Sequence, residues 1–173
     1  MTFLEFRKPE LKDAAEILSF KQEFQAHNSG MDGTGPLFRT DAQEWLEYVR
    51  QMEARDNPNT VPCLQYGLFR KEDGRLLGLI QLRLKLMGYL VDFGGHIGYC
   101  VRPSERRKGY AKEMLMRTLE ICRQEGLGKV LVTCLEDNIG SAKTIEACGG
   151  VFEKTVYDDK NYLANMKRYW ITL

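Results

Sequence analysis

The alternation of apolar and polar residues divides the chain into seven predicted strands, beginning with "TFLEFRK". Two longer runs, "CLQYGLFRK" and "LLGLIQLRLKL", flank "EDGR", whose Asp-Gly pair favours a hairpin turn. In the second arm Ile80 and Leu82 face one way, and Gln81 and Arg83 face the other. The remaining predicted strands are "HIGYCV", "KVLVTCL", "VFEKTVY" and "RYWITL".

Four other segments space their apolar residues as a helix does. The first begins at Pro9, and the second follows a predicted capping box of Thr40 and Gln43. The third runs from about Gly109 to Gln124, and the fourth is "SAKTIEAC". Between the first two helices, "HNSGMDGTGPLFR" has no period and is rich in glycine. It is therefore predicted to be a long loop, and such loops are often functional.

The resulting order is β-α-α-β-β-β-α-β-α-β-β. The strand-helix-strand unit over residues 96–135 requires a parallel pair, whereas the hairpins add antiparallel strands. We therefore expect an α/β (mixed α+β) fold with a central, mixed, mostly antiparallel sheet and helices on both faces. The 173 residues are expected to form a single domain over residues 1–173.

Composition narrows the class of protein. Lys and Arg number 25 and Asp and Glu 24, so no overall field attracts nucleic acid or an anionic membrane. No stretch approaches membrane-spanning length, and the amino terminus lacks the layout of a signal peptide. The five cysteines are odd in number and form no CxxC pair. We expect reduced thiols, a cytoplasmic location and no metal site.

A local basic cluster breaks this neutrality at "RRKGYA", where a predicted strand gives way to a helix. Five cations against Glu105 lie between Arg102 and Lys112. Cations at a helix start oppose its dipole by about 0.3–1 kcal/mol each. The unpartnered amides of a first turn favour an anion, and Gly109 and Ala111 let a ligand approach the backbone. The pattern predicts a pyrophosphate site; a solvated basic turn is the alternative.

These residues carry a family resemblance. "VRPSERRKGYAKEML" resembles the [Gln/Arg]-x-x-Gly-x-[Gly/Ala] signature of the GNAT superfamily of acetyl-CoA-dependent N-acetyltransferases, matched by Arg106, Gly109 and Ala111. "DNIGSAKTIEACGGVFE" resembles the second half of that family, with Asn138 and Ser141 opening a helix. The resemblance covers nearly the whole chain and implies a GNAT-like fold in which the parallel strands splay apart.

The resemblance also implies which residues bind acetyl-CoA as co-substrate. The backbone at Cys100 and Val101 should contact the pantetheine arm between the splayed strands. Asn138 and Ser141 should line the far side of that channel, although Asn138 could simply cap its helix and Ser141 could be an ordinary first-turn residue. The pyrophosphate should be held by the amides and side chains of Arg106, Arg107, Lys108, Gly109, Tyr110 and Ala111.

For transfer, the resemblance implies direct attack of an amine on the thioester in a ternary complex, with a backbone N–H near Val101 stabilising the oxyanion. The tyrosine that protonates the leaving thiolate in many members is replaced by Ile145. Three other tyrosines stay open for this role: Tyr99, Tyr110 and Tyr162. His96 is the candidate catalytic base, with a structural role as the alternative; Asp92 is more remote.

The acceptor is expected to be an amine of a small molecule or peptide, bounded by the loop after the first helix and the "YDDKNY" hairpin. Asp32, Asp158 and Asp159 could hold a cationic amine there. O-acetylation or a longer acyl donor is one alternative, and a catalytically silent CoA-binding sensor is another. A homodimer is implied by the resemblance only.

Overall fold

A computed structural model describes residues 3–173. Four α-helices occur in the predicted places: α1 (Ala14–Ala26), α2 (Ala42–Gln51), α3 (Tyr110–Gln124) and α4 (Ile139–Ala147). The strands are β1 (Leu4–Arg7), β2 (Cys63–Arg70), β3 (Leu76–Arg83), β4 (Ile97–Val101), β5 (Lys129–Leu135), β6 (Val151–Asp158) and β7 (Ala164–Thr172). No helix in this part of the chain is long and apolar enough to cross a membrane.

All seven strands lie in one sheet of order β1-β2-β3-β4-β5-β7-β6. Neighbouring strands are antiparallel except β4 and β5, which are parallel as the crossover predicts. These two strands pair at a single position, Ile97 with Val132, and diverge beyond it. The mixed, mostly antiparallel sheet with one splayed parallel pair is thereby confirmed. A single domain over residues 1–173 stays a prediction.

Helices cover both faces of this sheet, as expected. Successive side chains of a strand point to opposite faces, so neighbouring residues of β3 join different cores. Leu79 packs with Phe20 and Trp45 beneath α1 and α2. Ile80 packs with Leu115 beneath α3 and α4. The central strands are thus buried on both sides, which explains their nearly continuous apolar sequence.

The second helix shows a shift of one residue from its predicted start. Its capping box is formed by Asp41 and Glu44, and Asp41 Oδ1 accepts from the Glu44 amide at 2.8 Å. The predicted box at Thr40 and Gln43 is wrong, because the Thr40 hydroxyl donates to the Pro36 carbonyl instead.

The first helix also starts later than predicted. It begins at Ala14 rather than Pro9, because a short 3-10 turn, Leu11–Asp13, precedes it. The guanidinium of Arg7 donates to both carboxylate oxygens of Asp13, at 2.7 and 2.8 Å, and so ties this turn to β1.

Candidate functional site

A cavity of about 1010 Å³ lies where β4 and β5 diverge. One end reaches the start of α3. The other end is bounded by residues 29–35 of the loop after α1, by the segment between β3 and β4, and by Tyr162 in the β6–β7 hairpin. The cavity therefore connects the basic turn with both segments that the sequence analysis assigned to the acceptor.

The turn into α3 has an unusual backbone. Arg107 and Gly109 both have positive φ, 63° and 84°, and Gly109 caps the helix. Turns that alternate in this way direct successive amides toward one point and form anion-binding concavities. The helix adds its own free amides, because its first bond runs only from the Glu113 amide to the Gly109 carbonyl. A Cβ at Gly109 would meet nothing within 4 Å, so the space before the helix is open.

Three of the cluster's cations, Arg106, Arg107 and Lys112, line the cavity. Lys108 does not line it; its Nζ lies 2.8 Å from a carboxylate oxygen of Glu105, which is itself buried. Lys108 therefore stabilises the turn through its ion pair with Glu105. Lys112, which is not part of the family signature, lines the cavity instead.

The Arg106 side chain connects the basic turn to β4 and to the loop after α1. Its Nε donates to the Val101 carbonyl at 3.1 Å, and its Nη2 donates to the Ser29 hydroxyl at 2.7 Å. Its guanidinium also lies 5.5 Å from the centre of the Phe24 ring. Arg106 therefore joins β4 and the loop after α1 at the wall of the cavity.

Arg102 contributes no free charge to the cluster. Its side chain is 1% exposed and pairs with Glu16 at 2.6 Å and Glu23 at 3.2 Å. Glu23 also accepts from the Ser104 amide at 2.7 Å. These bonds connect α1 to the segment that precedes the basic turn and fix the position of that segment.

The free edge of β4 forms one wall of the gap. Arg102 donates its amide to Leu77, and the His96 carbonyl accepts from Arg83, so even-numbered residues of β4 direct their backbone groups to β3. The intervening residues Tyr99 and Val101 direct theirs toward the gap. The geometry therefore favours the Val101 amide for a pantetheine or oxyanion contact.

Cys100, the other predicted backbone contact, lies opposite Leu79 in the β3–β4 ladder. Its backbone groups therefore point away from the gap, although the residue lines the cavity. Its thiol is buried, and this burial raises its pKa. Cys100 therefore lines the cavity, but its backbone groups are not placed to hydrogen-bond a ligand in the gap.

Hydroxyl groups from β4 and α4 meet inside the cavity. The Tyr99 hydroxyl lies 2.8 Å from the Ser141 hydroxyl, and burial raises the pKa of the Tyr99 phenol. Asn138 caps α4 by accepting from the Ser141 amide at 3.1 Å, and it also lines the cavity. Ile145, at the usual tyrosine position, is fully buried in the core. The paired hydroxyls of Tyr99 and Ser141 line the cavity and are candidates for that vacant role.

At the opposite end, Asp32 and Tyr162 join the two predicted acceptor segments. The Tyr162 hydroxyl donates to Asp32 Oδ1 at 2.6 Å. Burial, together with this carboxylate, raises the pKa of the Tyr162 phenol, which therefore keeps its proton. Asp32 is exposed and lines the cavity, so its second oxygen can meet a ligand.

The other two candidate acidic residues are placed differently. Asp158 is fully buried, and its carboxylate accepts from the Tyr89 hydroxyl at 2.6 Å and from the amides of Lys160 and Asn161. It therefore shapes the hairpin. Asp159 is exposed and does not line the cavity.

Gly33 brings the loop after α1 into contact with β4. Its φ is 70°, and a Cβ there would overlap the carbonyl of Gly98. The Gly33 carbonyl accepts from the buried Gln65 side chain at 3.0 Å. Only glycine permits so close an approach, which sets the position of Asp32 next to it.

His96 is buried and does not line the cavity. Its Nδ1 accepts from the Leu131 amide at 2.9 Å, while its own amide donates to the Leu131 carbonyl at 2.7 Å. Burial, reinforced by the charge of Arg83, lowers the pKa of His96 to about 4. The geometry favours the structural alternative: His96 fixes β4 to β5 just before they diverge.

Residues that were not predicted from the sequence also line the end of the cavity near Asp32 and Tyr162. They include Arg83 at the end of β3, and Tyr89 and Phe93 from the segment before β4. Alternation placed Arg83 on the face opposite Ile80, but nothing in the sequence shows that a loop covers this face. Within residues 3–173, no group of three or more His, Cys, Asp or Glu residues is arranged to hold a metal ion.

Known proteins share the sequence pattern and the fold of this chain. A family model described as an acetyltransferase (GNAT) domain matches residues 4–151. The uncharacterized N-acetyltransferase YjdG of Bacillus subtilis (strain 168) is 26% identical over 159 residues, covering 88% of each chain.

Two solved structures show the same fold at low identity. The ribosomal L7/L12 alpha-N-protein acetyltransferase RimL, in complex with coenzyme A, has a TM-score of 0.74 at 15% identity, over 100% of this chain and 96% of its own. A spermidine N-acetyltransferase SpeG chimera from Vibrio cholerae and hSSAT has a TM-score of 0.68 at 18% identity, over 98% and 94%.

Proposed function

Since this chain belongs to the GNAT family of acetyltransferases, we propose that it moves an acetyl group from acetyl-CoA to a primary amine of a small molecule or peptide. One observation carries the proposal. A single cavity joins an open anion-binding turn, the gap between β4 and β5, and a carboxylate that faces the far end.

The donor fits the first two parts of this cavity. The amides around Gly109 and the side chains of Arg107 and Lys112 would hold the pyrophosphate. Asn138 would contact the pantetheine arm on one side of the gap, and the Val101 amide would lie across from it at the thioester carbonyl. The coenzyme A complex of RimL supports this choice of ligand.

The chemistry requires a neutral amine and a protonated leaving group. The amine nitrogen bonds to the thioester carbon, the carbon–sulfur bond breaks, and the electron pair leaves on the thiolate. We assign the ammonium to the Asp32 carboxylate, which receives its proton directly or through water. The Ser141 hydroxyl, paired with Tyr99, gives a proton to the thiolate, and the second proton that the nitrogen loses as the tetrahedral intermediate collapses replaces it through water. The Val101 N–H faces the developing oxyanion.

The relatives support an amine as the acceptor. RimL and SpeG are named for acetylating a protein α-amine and spermidine, respectively. An alcohol carries no positive charge for the exposed Asp32 carboxylate to bind, which favours an amine over O-acetylation.

Two further proposals concern the whole molecule. All five cysteines are free thiols, which supports a cytoplasmic location. β6 lies at the edge of the sheet, where Val151 and Phe152 are 69% and 51% exposed. Pairing of two copies along this strand would give the homodimer.

A thiol-release assay tests the proposal. We expect acetyl-CoA-dependent release with at least one member of a panel of primary amines and peptide amino termini, and no release with matched alcohols. Arg107→Glu combined with Gly109→Val should weaken acetyl-CoA binding at least about tenfold, because it adds repulsion and fills the cradle.

The control is Arg117→Glu, which makes the same charge change on the exposed side of α3, outside the cavity. It should bind as the unmodified protein does. Binding without release on any amine would contradict transfer and support the silent sensor, and release with alcohols alone would support O-acetylation.

A further inference from the structure

Arg83 is a half-buried cation at the end of the cavity where we propose that the acceptor binds. Its guanidinium donates from Nε to the Gln81 side chain at 3.2 Å, and from Nη1 to the carbonyls of Gly94 and Gly95 at 2.9 and 3.2 Å. These bonds hold the side chain in place against the segment before β4. They are all made to neutral groups.

The remaining nitrogen, Nη2, lies at the wall of the cavity. A Cβ on Gly98 would come within 3.0 Å of it, so glycine leaves the room that this nitrogen occupies. Both Arg83 and Gly98 line the cavity. Among the bonds of residues 3–173, Nη2 donates none, and it therefore faces the cavity with its N–H groups free.

No carboxylate of the described chain forms a salt bridge with Arg83 at 4.0 Å or less. Arg102 makes a useful comparison, because it is fully buried and pairs with both Glu16 and Glu23, whereas the half-buried Arg83 pairs with no carboxylate. A buried charge without an opposite charge is unfavourable. In agreement, burial lowers the pKa of the Arg83 guanidinium, although the Asp32 carboxylate lies near enough to counteract this in part. A ligand anion would offset the remaining penalty.

The position of Arg83 separates it from the donor's phosphates. In the ladder it stands opposite His96, before the start of β4, whereas the basic turn follows Arg102 at the other end. Six residues of strand at roughly 3.3 Å each place these points about 20 Å apart. The anion that Arg83 would bind is therefore part of the acceptor.

We infer that Arg83 binds a carboxylate of the acceptor while Asp32 holds its amine, so that the acceptor is an amine which also carries a carboxylate. This inference rests on the proposed function. The carboxylate could be that of a free amino acid or of an acidic residue near the amino terminus of a peptide. Polyamines, which have no anion, would be poor acceptors.

Matched acceptors test this directly. Alanine is compared with alaninamide, and Ala-Asp amide with Ala-Asn amide, by acetyl-CoA-dependent thiol release. At least one pair should show a kcat/KM at least about tenfold higher for its carboxylate member, as expected of a charge-assisted hydrogen bond. The pair that responds identifies the source of the carboxylate.

The variant Arg83→Gln should bring this ratio to about one, mainly through KM for the carboxylate acceptor, and leave acetyl-CoA affinity unchanged. Arg83→Lys keeps the charge and should retain part of the preference. Arg123→Gln, an exposed arginine paired with Glu120 at the far end of α3, serves as the control and should keep the full ratio. If Arg83 only supports the segment before β4, Arg83→Gln will slow both members alike and preserve the ratio.

The outcomes separate the two claims. Turnover without a preference for either carboxylate, or a preference that survives in Arg83→Gln, would overturn the role of Arg83 and leave amine acetylation intact. Acetyl-CoA binding with no turnover of any amine would overturn the proposed function and this inference with it.

Discussion

Replacement of His96 tests whether this residue is structural, as its contacts indicate. The Leu131 amide is fully buried and donates to His96 Nδ1. His96→Phe removes that acceptor, and a buried unsatisfied amide costs about 1–3 kcal/mol of unfolding free energy. His96→Asn can place a carbonyl oxygen where Nδ1 lies, so it should keep most of the bond. It cannot titrate.

The same pair of variants predicts a pH dependence. The pKa of His96 falls from its ordinary 6.5 to about 4 in the folded protein, so the unfolded chain binds more protons between these values. The stabilisation is present above about pH 6.5 and is lost as the pH falls toward 4. Between about pH 7.5 and about pH 5, the wild type should lose about 2 kcal/mol more than His96→Asn.

Urea unfolding followed by tryptophan fluorescence at these two pH values measures both effects. Carboxylates whose pKa is lowered in the folded state, such as Asp13 and Glu105, act in the same direction but are common to both proteins and cancel. Equal losses in wild type and His96→Asn would refute the linkage. A folded His96→Asn that binds acetyl-CoA normally but has lost transfer would refute the structural role.

Three further substitutions probe the site. Gly33→Ala should lower the free energy of unfolding by more than about 2 kcal/mol, because its positive φ and the contact with Gly98 exclude a Cβ; thermal melting measures this. Asp32→Asn should raise KM for the amine about tenfold, lower kcat because the proton acceptor is lost, and leave acetyl-CoA affinity unchanged; equal kinetics would remove Asp32 from the acceptor site. Tyr99→Phe should lower kcat about tenfold or more if the pair with Ser141 protonates the thiolate, and an unchanged kcat would exclude that pair.

The backbone of the basic turn could be predicted because its requirements are local. A glycine with positive φ at Gly109, a small residue at Ala111 and nearby cations all fall within one short stretch of sequence. The same stretch does not show which cations face the ligand. Lys108 turns to Glu105 and Lys112 faces the cavity, a choice set by the tertiary fold.

The end of the cavity where we propose that the acceptor binds depends on contacts between distant segments. Asp32 meets Tyr162 across 130 residues, and His96 finds its partner 35 residues away at Leu131. Arg83 lies on a strand in which apolar and polar residues alternate, as they do on an ordinary half-exposed strand. It lines a cavity only because the loop at Gly33 packs over this part of the sheet. The spacing of residues along the chain does not show contacts between distant segments. The roles of these residues could therefore be named as alternatives from the sequence, but the sequence could not decide between them.

The central claim is that acetyl-CoA binds in the cavity between the diverging strands, with its pyrophosphate at the start of α3. Calorimetric titration of acetyl-CoA into the wild type and into the Arg107→Glu, Gly109→Val double variant tests it most directly. We predict one site per chain in the wild type and at least about tenfold weaker binding in the variant. Equal affinity in both proteins, or no binding to the wild type, would contradict it.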